Sequence, residues 1–267
     1  MLQDGGDLDA VVPLNGAGQA ETYLWDFFPP SFNCPHRHRL GRLNDGGKVV
    51  CNWEMLRAQC AADPHAAVIY RLACAAISFE VDLGQRTGCV IHAFDHTVVG
   101  LPQVAPNVAF TLAGLAATDL PPTLFSLPTL TAQRGHDRIR LLKLDCENCE
   151  WAVFAELART GALSVIDQLL IELHFKQAAT NAAGPDSGVR DVFDLFEALE
   201  WAGLYPFSWE VNHNAGAARA MPWVIEYSFV RPDSAFMRDL RAWGVAVGGG
   251  KRVMEADGVG RRRAAAA

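Results

Sequence analysis

Two short stretches gather the side chains most able to do chemistry. The first is 145-DCENCE-150, where Asp145, Glu147 and Glu150 place three carboxylates within six residues, interleaved with Cys146 and Cys149 at C-x-x-C spacing. Carboxylates this close suit a cation, a substrate hydroxyl or general-base work. Glu147 and Glu150 also fit as helix N-terminal acids favoured by the macrodipole, a reading that suits Asp145 less well. The second is 172-ELH-174, where Glu172 and His174 alternate with Leu173 and so face the same side of a strand. The C-x-x-C pair has the spacing of a thiol redox couple, and its place at a helix start would favour a thiolate. No thioredoxin-like order of elements surrounds it.

The remaining candidates are thinner. Phe94-Asp95-His96 ends an apolar run in an acid placed to accept from ribose hydroxyls, or to hold a turn. Ala73-Cys74-Ala75-Ala76, leading to Ser78-Phe79-Glu80, offers small residues and then a helix start, where a ligand can approach the backbone and meet free N–H groups. Cys34-Pro-His36-Arg-His38 holds three soft ligands with no second half at ligand spacing, so no metal site is expected. Gly46-Gly47-Lys48 lacks phosphate-loop spacing, and no G-x-S-x-G elbow supports a hydrolase.

Strand tips must position these groups. The runs 68-VIYRLA-73, 89-CVIHAF-94, 107-NVAFTL-112, 139-IRLLKL-144 and 165-VIDQLLIEL-173 are short and rich in Val, Ile and Leu, as in strands buried on both faces of a parallel sheet. Helical spacing marks 78–87, 148–160 and 189–203, the last two stopped by Gly161 and Gly203. Two closing runs, 204-LYPFSWEV-211 and 223-WVIEYSFVR-231, have little helix between them and predict an antiparallel pair. The pattern predicts a doubly wound, mostly parallel α/β sheet of seven strands, whose ligands bind beyond the carboxyl ends of the strands. We expect a loose N-terminus over 1–22, an N-terminal lobe over 23–63, the main domain over 64–232, and a C-terminal helix with a disordered tail over 233–267.

Composition narrows the class. The 267 residues are 50% hydrophobic and 20% charged, which suits a globular core and argues against disorder. A net charge of −7 gives no support for a nucleic-acid partner. No basic-then-apolar leader opens the chain, and the apolar stretch 66–79 is too short to span a bilayer. A soluble protein is expected, cytoplasmic or, with an anchor upstream, in the secretory lumen. Seven cysteines are sparse for a disulfide scaffold. Cys74, Cys89 and Cys146 fall in apolar runs and read as buried free thiols, while Cys51 and Cys60 could bridge in an oxidising compartment.

The order of motifs resembles the methyltransferase-like protein 24-related family, FkbM-like class I S-adenosylmethionine methyltransferases. The matching pieces are 41-GRLNDGGKVVCN-52, 68-VIYRLACAAISFE-80, 88-GCVIHAFDHT-97, 114-GLAATD-119, 139-IRLLKLDCENCEW-151, 166-IDQLLIELHF-175 and 223-WVIEYSFV-230. The resemblance implies a Rossmann-like sheet that binds S-adenosyl-L-methionine and methylates an oxygen of a small molecule or glycan. It implies that Ala73, Cys74, Ala75, Ser78 and Glu80 line the methionine end, that Asp95 and His96 hold the ribose, and that Gly114 and Leu115 lie near the adenine. Asp145, Glu147 and His174 would then be catalytic, with Glu150 and Glu172 toward the acceptor. Ala73 and Asn148 stand where the family usually carries glycine, and the two C-x-x-C sulfurs read as packing. A binding protein of this fold without turnover, and a thiol oxidoreductase, are the alternatives.

Overall fold

The computed structural model describes residues 24–43, 46–73, 77–98, 107–175, 188–212, 224–234 and 237. The expected N-terminus over 1–22 and the C-terminal helix and tail lie outside these, apart from residues near 234. In chain order the elements are β1 (His38–Leu40), β2 (Lys48–Val50), α1 (Trp53–Ala62), β3 (Ile69–Ala73), α2 (Ser78–Thr87), β4 (Ile91–Phe94) and β5 (Val108–Thr111). They continue with β6 (Gly114–Leu115), β7 (Leu124–Phe125), α3 (Leu127–Arg134), β8 (Leu141–Asp145), α4 (Cys149–Thr160), β9 (Gln168–His174), α5 (Val189–Trp201), β10 (Tyr205–Val211) and β11 (Val224–Val230).

Seven of these strands form one sheet in the order β10-β11-β9-β8-β3-β4-β5. The pairs from β9 to β5 are parallel, while β11 runs antiparallel to both neighbours. This is the doubly wound sheet with an antiparallel closing pair that the apolar runs predict. The chain builds outward from β3 through β4 and β5, then crosses back to β8 on the other side of β3. The strand order therefore reverses between β3 and β8, and in doubly wound sheets ligands bind beyond the carboxyl ends of the strands at such a reversal.

Alternation along the strands divides the core. Tyr70, Leu72, Phe94, Leu142, Leu144, Leu169, Ile171 and Phe229 face α3, α4 and α5. Ile69, Ile91, Leu141, Leu170 and Val230 face α1, α2 and the β1–β2 hairpin. On this second face the apolar residues occupy only the amino-terminal half of the parallel strands. Toward the carboxyl ends the inward side chains become Arg71, Lys143, Glu172 and Glu226, all buried.

Some elements departed from the pattern reading. Residues 53–62, within the expected N-terminal lobe over 23–63, form α1, whose Trp53, Leu56 and Cys60 are buried at helical spacing. The short helix α3, capped by Ser126 and opened by a proline, was not foreseen either. The cysteines require the largest correction. Cys34 bridges Cys51, Cys60 bridges Cys89, and Cys146 bridges Cys149. Cys89 and Cys146 are thus not free thiols; an apolar sequence context marks burial, and two buried sulfurs brought together by the fold can bond. Cys51 and Cys60 do bridge, each to a partner that only the tertiary fold brings near.

Candidate active site

At the reversal of strand order, Ala73 pairs in register with Asp145. Ala73 is the extended last residue of β3, so the absent glycine imposes no backbone cost at that position. Cys74 and Ala75 lie outside the described residues. Ser78, first residue of α2, accepts the Arg42 amide at 3.1 Å, and the neighbouring Gly41 amide donates to Asp82 at 3.0 Å. The first-loop helix start is therefore docked against the N-terminal segment.

Asp95 follows β4 and is 3% exposed. Its Oδ1 accepts the Thr97 amide at 2.8 Å and hydroxyl at 2.6 Å, while Oδ2 lies 3.8 Å from Arg71. The turn-holding reading of this acid is realised for one oxygen, and the other belongs to a buried ion pair. His96 is exposed, and its ring lies over Gly114. A Cβ on Gly114 would come 2.3 Å from His96 Nδ1 and 2.8 Å from Leu124, so any side chain there would have to displace the imidazole and the leucine. Gly114 and Leu115 are both buried there.

The loop from β8 to α4 is a tight turn. Cys149 N–H donates to the Cys146 carbonyl at 3.3 Å, and the two residues between them have φ of 52° at Glu147 and 82° at Asn148. Two consecutive positive φ values match a type I′ turn, which strongly favours glycine or asparagine. Asn148 thus meets the need that glycine meets in the family pattern. Glu147, longer and less tolerant, carries backbone strain of about 1–3 kcal/mol. The Cys146–Cys149 disulfide closes the ends of this turn, so the sulfurs cross-link the acidic loop in addition to packing beside it.

Helix α4 grips the end of β9. Glu150 is fully buried, and its Oε1 accepts the His174 amide at 2.7 Å and the His174 Nδ1–H at 3.0 Å. The Trp151 indole donates to the His174 carbonyl at 3.0 Å. The other ring nitrogen, Nε2, faces Glu147 at 3.4 Å. Burial pulls the imidazole pKa down, but the hydrogen bond and charge of Glu150, with Glu172 and Glu147, outweigh it and lift it to about 9.

Behind these tips runs a buried ladder of charge. Lys48, from β2, ion-pairs with Glu226 and lies 3.8 Å from Glu172. Glu172 and Glu226 are direct partners on β9 and β11, and Asn212 donates to Glu172 at 2.7 Å. Glu80 sits 3.2 Å from Lys143 and 3.4 Å from Arg71. Burial, with the charges of Asp145 and Glu226, pushes the Glu172 carboxyl up to about 8. Burial acts the same way on Asp145, but Lys143, Lys48 and His174, with a hydrogen bond from Glu172, hold it below its usual value. Asp145 is therefore the anion and Glu172 carries the proton near neutral pH.

The structure brings Asp145, Glu147, Glu150, Glu172 and His174 into one cluster, while Asp95 and His96 follow β4, with His96 against Gly114. Glu80 belongs to the charge ladder. Lys48, Arg71, Lys143 and Glu226 were not singled out from the sequence. Their signal was a lone charge inside an otherwise apolar strand run, since such a charge must find a buried partner.

Fold and site together define a doubly wound α/β domain with polar groups at the carboxyl ends of β4, β8 and β9. A methyltransferase-domain family model matches residues 7–230, and the chain belongs to that family. Probable methyltransferase-like protein 24 of Homo sapiens is 28% identical over 133 residues, covering 46% of this chain and 36% of that protein. The Rattus norvegicus protein of that name is 28% identical over 138 residues with the same coverage. The match thus takes in little more than a third of these relatives' length. Among solved structures, a Methanococcus jannaschii fibrillarin pre-rRNA processing protein superposes with a TM-score of 0.39 at 10% identity, over 63% of this chain and 68% of that one. Aeropyrum pernix fibrillarin, in complex with natively bound S-adenosyl-L-methionine, gives 0.38 at 13% identity, over 75% and 85%. Among the described residues, no helix is long and apolar enough to cross a membrane.

Proposed function

We propose that this chain is an S-adenosyl-L-methionine-dependent methyltransferase acting on a hydroxyl oxygen of a small molecule or glycan. The observation that carries the reading is the meeting of Asp145, Glu147 and His174 at the tips of β8 and β9, with Asp95 just past the tip of β4 at the same end of the sheet. Family membership and the resemblance of motifs support the same cofactor. Asp95 Oδ2 would hold the ribose diol, and Gly114 and Leu115 would face the adenine. When bound, the cofactor supplies an electrophilic methyl on a sulfonium. Asp145, Glu147 and His174 face the acceptor and orient its hydroxyl, and one of the two carboxylates receives its proton while His174 stays charged, so that positioning supplies most of the acceleration. Glu150 acts through His174 by fixing its ring. The three disulfides favour an oxidising compartment for the protein.

A second reading, a methyltransferase fold that has lost the cofactor, draws support from Asp95, whose oxygens already engage Thr97 and Arg71. Calorimetric titration with S-adenosylmethionine and S-adenosylhomocysteine separates the two. We expect binding by the native protein, at least tenfold weaker in Asp95→Ala. No heat of binding from a folded native protein would refute the first reading and favour the second.

A further inference from the structure

The tips of β8 and β9 hold a donor set whose make-up says more than a patch of acids. One oxygen each from Asp145 and Glu147 and one nitrogen of His174 lie within 4.8 Å of one another. Acids alone would mean little here, because the start of α4 attracts carboxylates for its own sake. The histidine separates this cluster from that case. Its Nδ1 is committed to Glu150, which is fully buried, so the ring cannot turn and Nε2 is presented toward Glu147. A buried carboxylate behind an imidazole is the arrangement that fixes tautomer and direction in metal-binding histidines. The Trp151 indole anchors the same residue through its carbonyl. Each of the three donors comes from a different support: the end of β8, the I′ turn and the end of β9.

The neighbouring sulfurs restrict what can bind. Cys146 and Cys149 are joined to each other, so soft thiolate ligation is removed and the set is two carboxylate oxygens and one imidazole nitrogen. Glu172 and Glu226 are turned to Lys48, and Glu80 to Arg71 and Lys143. Lys143 and Lys48 also act on Asp145 and keep it anionic, and the cluster meets solvent at Glu147, which is exposed.

We propose that Asp145, Glu147 and His174 form a site for a divalent first-row transition-metal cation of the manganese type, with Glu150 as the positioning residue behind His174. Three protein ligands leave coordination positions open, and the oxygen of the acceptor occupies one of them. The inference rests on the methyltransferase reading and specifies how the three side chains hold the acceptor: through the cation, with the hydroxyl as an oxygen ligand.

Manganese chloride is the probe. Titration of chelator-treated native protein, followed by loss of the free-ion electron paramagnetic resonance signal, is expected to show one bound manganese per chain. Asp145→Asn and Glu147→Gln should each weaken binding at least tenfold, while Glu156→Gln, on an exposed stretch of α4, leaves it unchanged. Glu147 sits in an exposed turn, so its variant keeps the test interpretable if Asp145→Asn fails to fold. No bound manganese at millimolar concentration overturns the inference, and so does binding equal in native and Glu147→Gln protein, which would mean an adventitious ion only. Cofactor titration in chelator reads the methyltransferase assignment separately. Cofactor binding with no manganese site overturns the cation alone; manganese binding with no cofactor binding overturns the assignment on which the acceptor's role depends.

Discussion

Replacing Glu150 by glutamine keeps the shape of a fully buried side chain and removes its charge. In the native protein the His174 imidazole is raised from 6.5 to about 9. A gap of that size, at 1.36 kcal/mol per pH unit, corresponds to about 3 kcal/mol of preference for the charged ring. Burial is the largest single influence and acts against the charge, so the carboxylates must overcome it. Of these, Glu147 is exposed and screened, and Glu172 keeps its own proton to about 8. Glu150 is left as the group that decides the outcome. In Glu150→Gln the His174 midpoint should fall to 6.5 or below, giving a neutral ring at pH 7.5. The assay is a histidine Cε1–H titration by NMR in chelator, with His174→Asn identifying the resonance among the eight histidines. The sign of the stability change follows. A raised histidine pKa stabilises the fold fully below 6.5, and the contribution is lost as pH rises through 9. The variant should therefore be about 2–3 kcal/mol less stable than native at pH 6, with the difference shrinking above pH 9. A midpoint that stays above 8 in the variant would refute the assignment of Glu150 as the controlling group.

Three further outcomes follow from the same geometry. Glu172 holds its proton to about 8 in the folded state but releases it near 4.5 when unfolded, so stability is lost as pH climbs between those values, and His174 extends the loss toward 9; calorimetry should give a lower Tm at pH 9 than at pH 5.5, and a flat or rising Tm would contradict both shifts. Lys48→Met leaves Glu226 and Glu172 buried without their ammonium, and urea denaturation should show a loss of about 3–5 kcal/mol at pH 7. Cys60 and Cys89 are 29 residues apart in sequence, and in the loop-entropy treatment their paired replacement by alanine should lower the unfolding free energy by roughly 3–4 kcal/mol with folding retained.

The sheet was legible because burial on two faces leaves an unambiguous trace. Runs such as 68-VIYRLA-73 and 139-IRLLKL-144 are dominated by Val, Ile and Leu despite their basic residues, and their spacing left room for helices between them. Glu172 and His174 were legible as a pair because strand alternation depends only on parity. Helix α1 was missed because Trp53, Leu56 and Cys60 supply one narrow apolar stripe within a segment crowded by turn signals. The role of Asn148 was readable from its tolerance of positive φ, whereas the pairing of Cys60 with Cys89 was not, since sequence separation says nothing about which strand and helix will lie side by side. The charge ladder escaped for a related reason. A lone Arg71 or Lys143 announces that a partner exists, but its identity depends on strand order, which places β8 between β3 and β9 only after the chain has crossed back over the sheet.

Lys48 gives the boundary between lobe and sheet a different meaning. The pattern of the sequence divides near residue 64, yet the ammonium that offsets Glu172 and Glu226 comes from residue 48. A fragment begun at 64 would inherit two facing acids without the cation set between them, and would have to mask or discard them before it could fold. The same dependency binds descent. A lineage that neutralises position 48 must also neutralise 226, so the hairpin and the antiparallel strand β11 are expected to change in step, although 178 positions separate them in the chain.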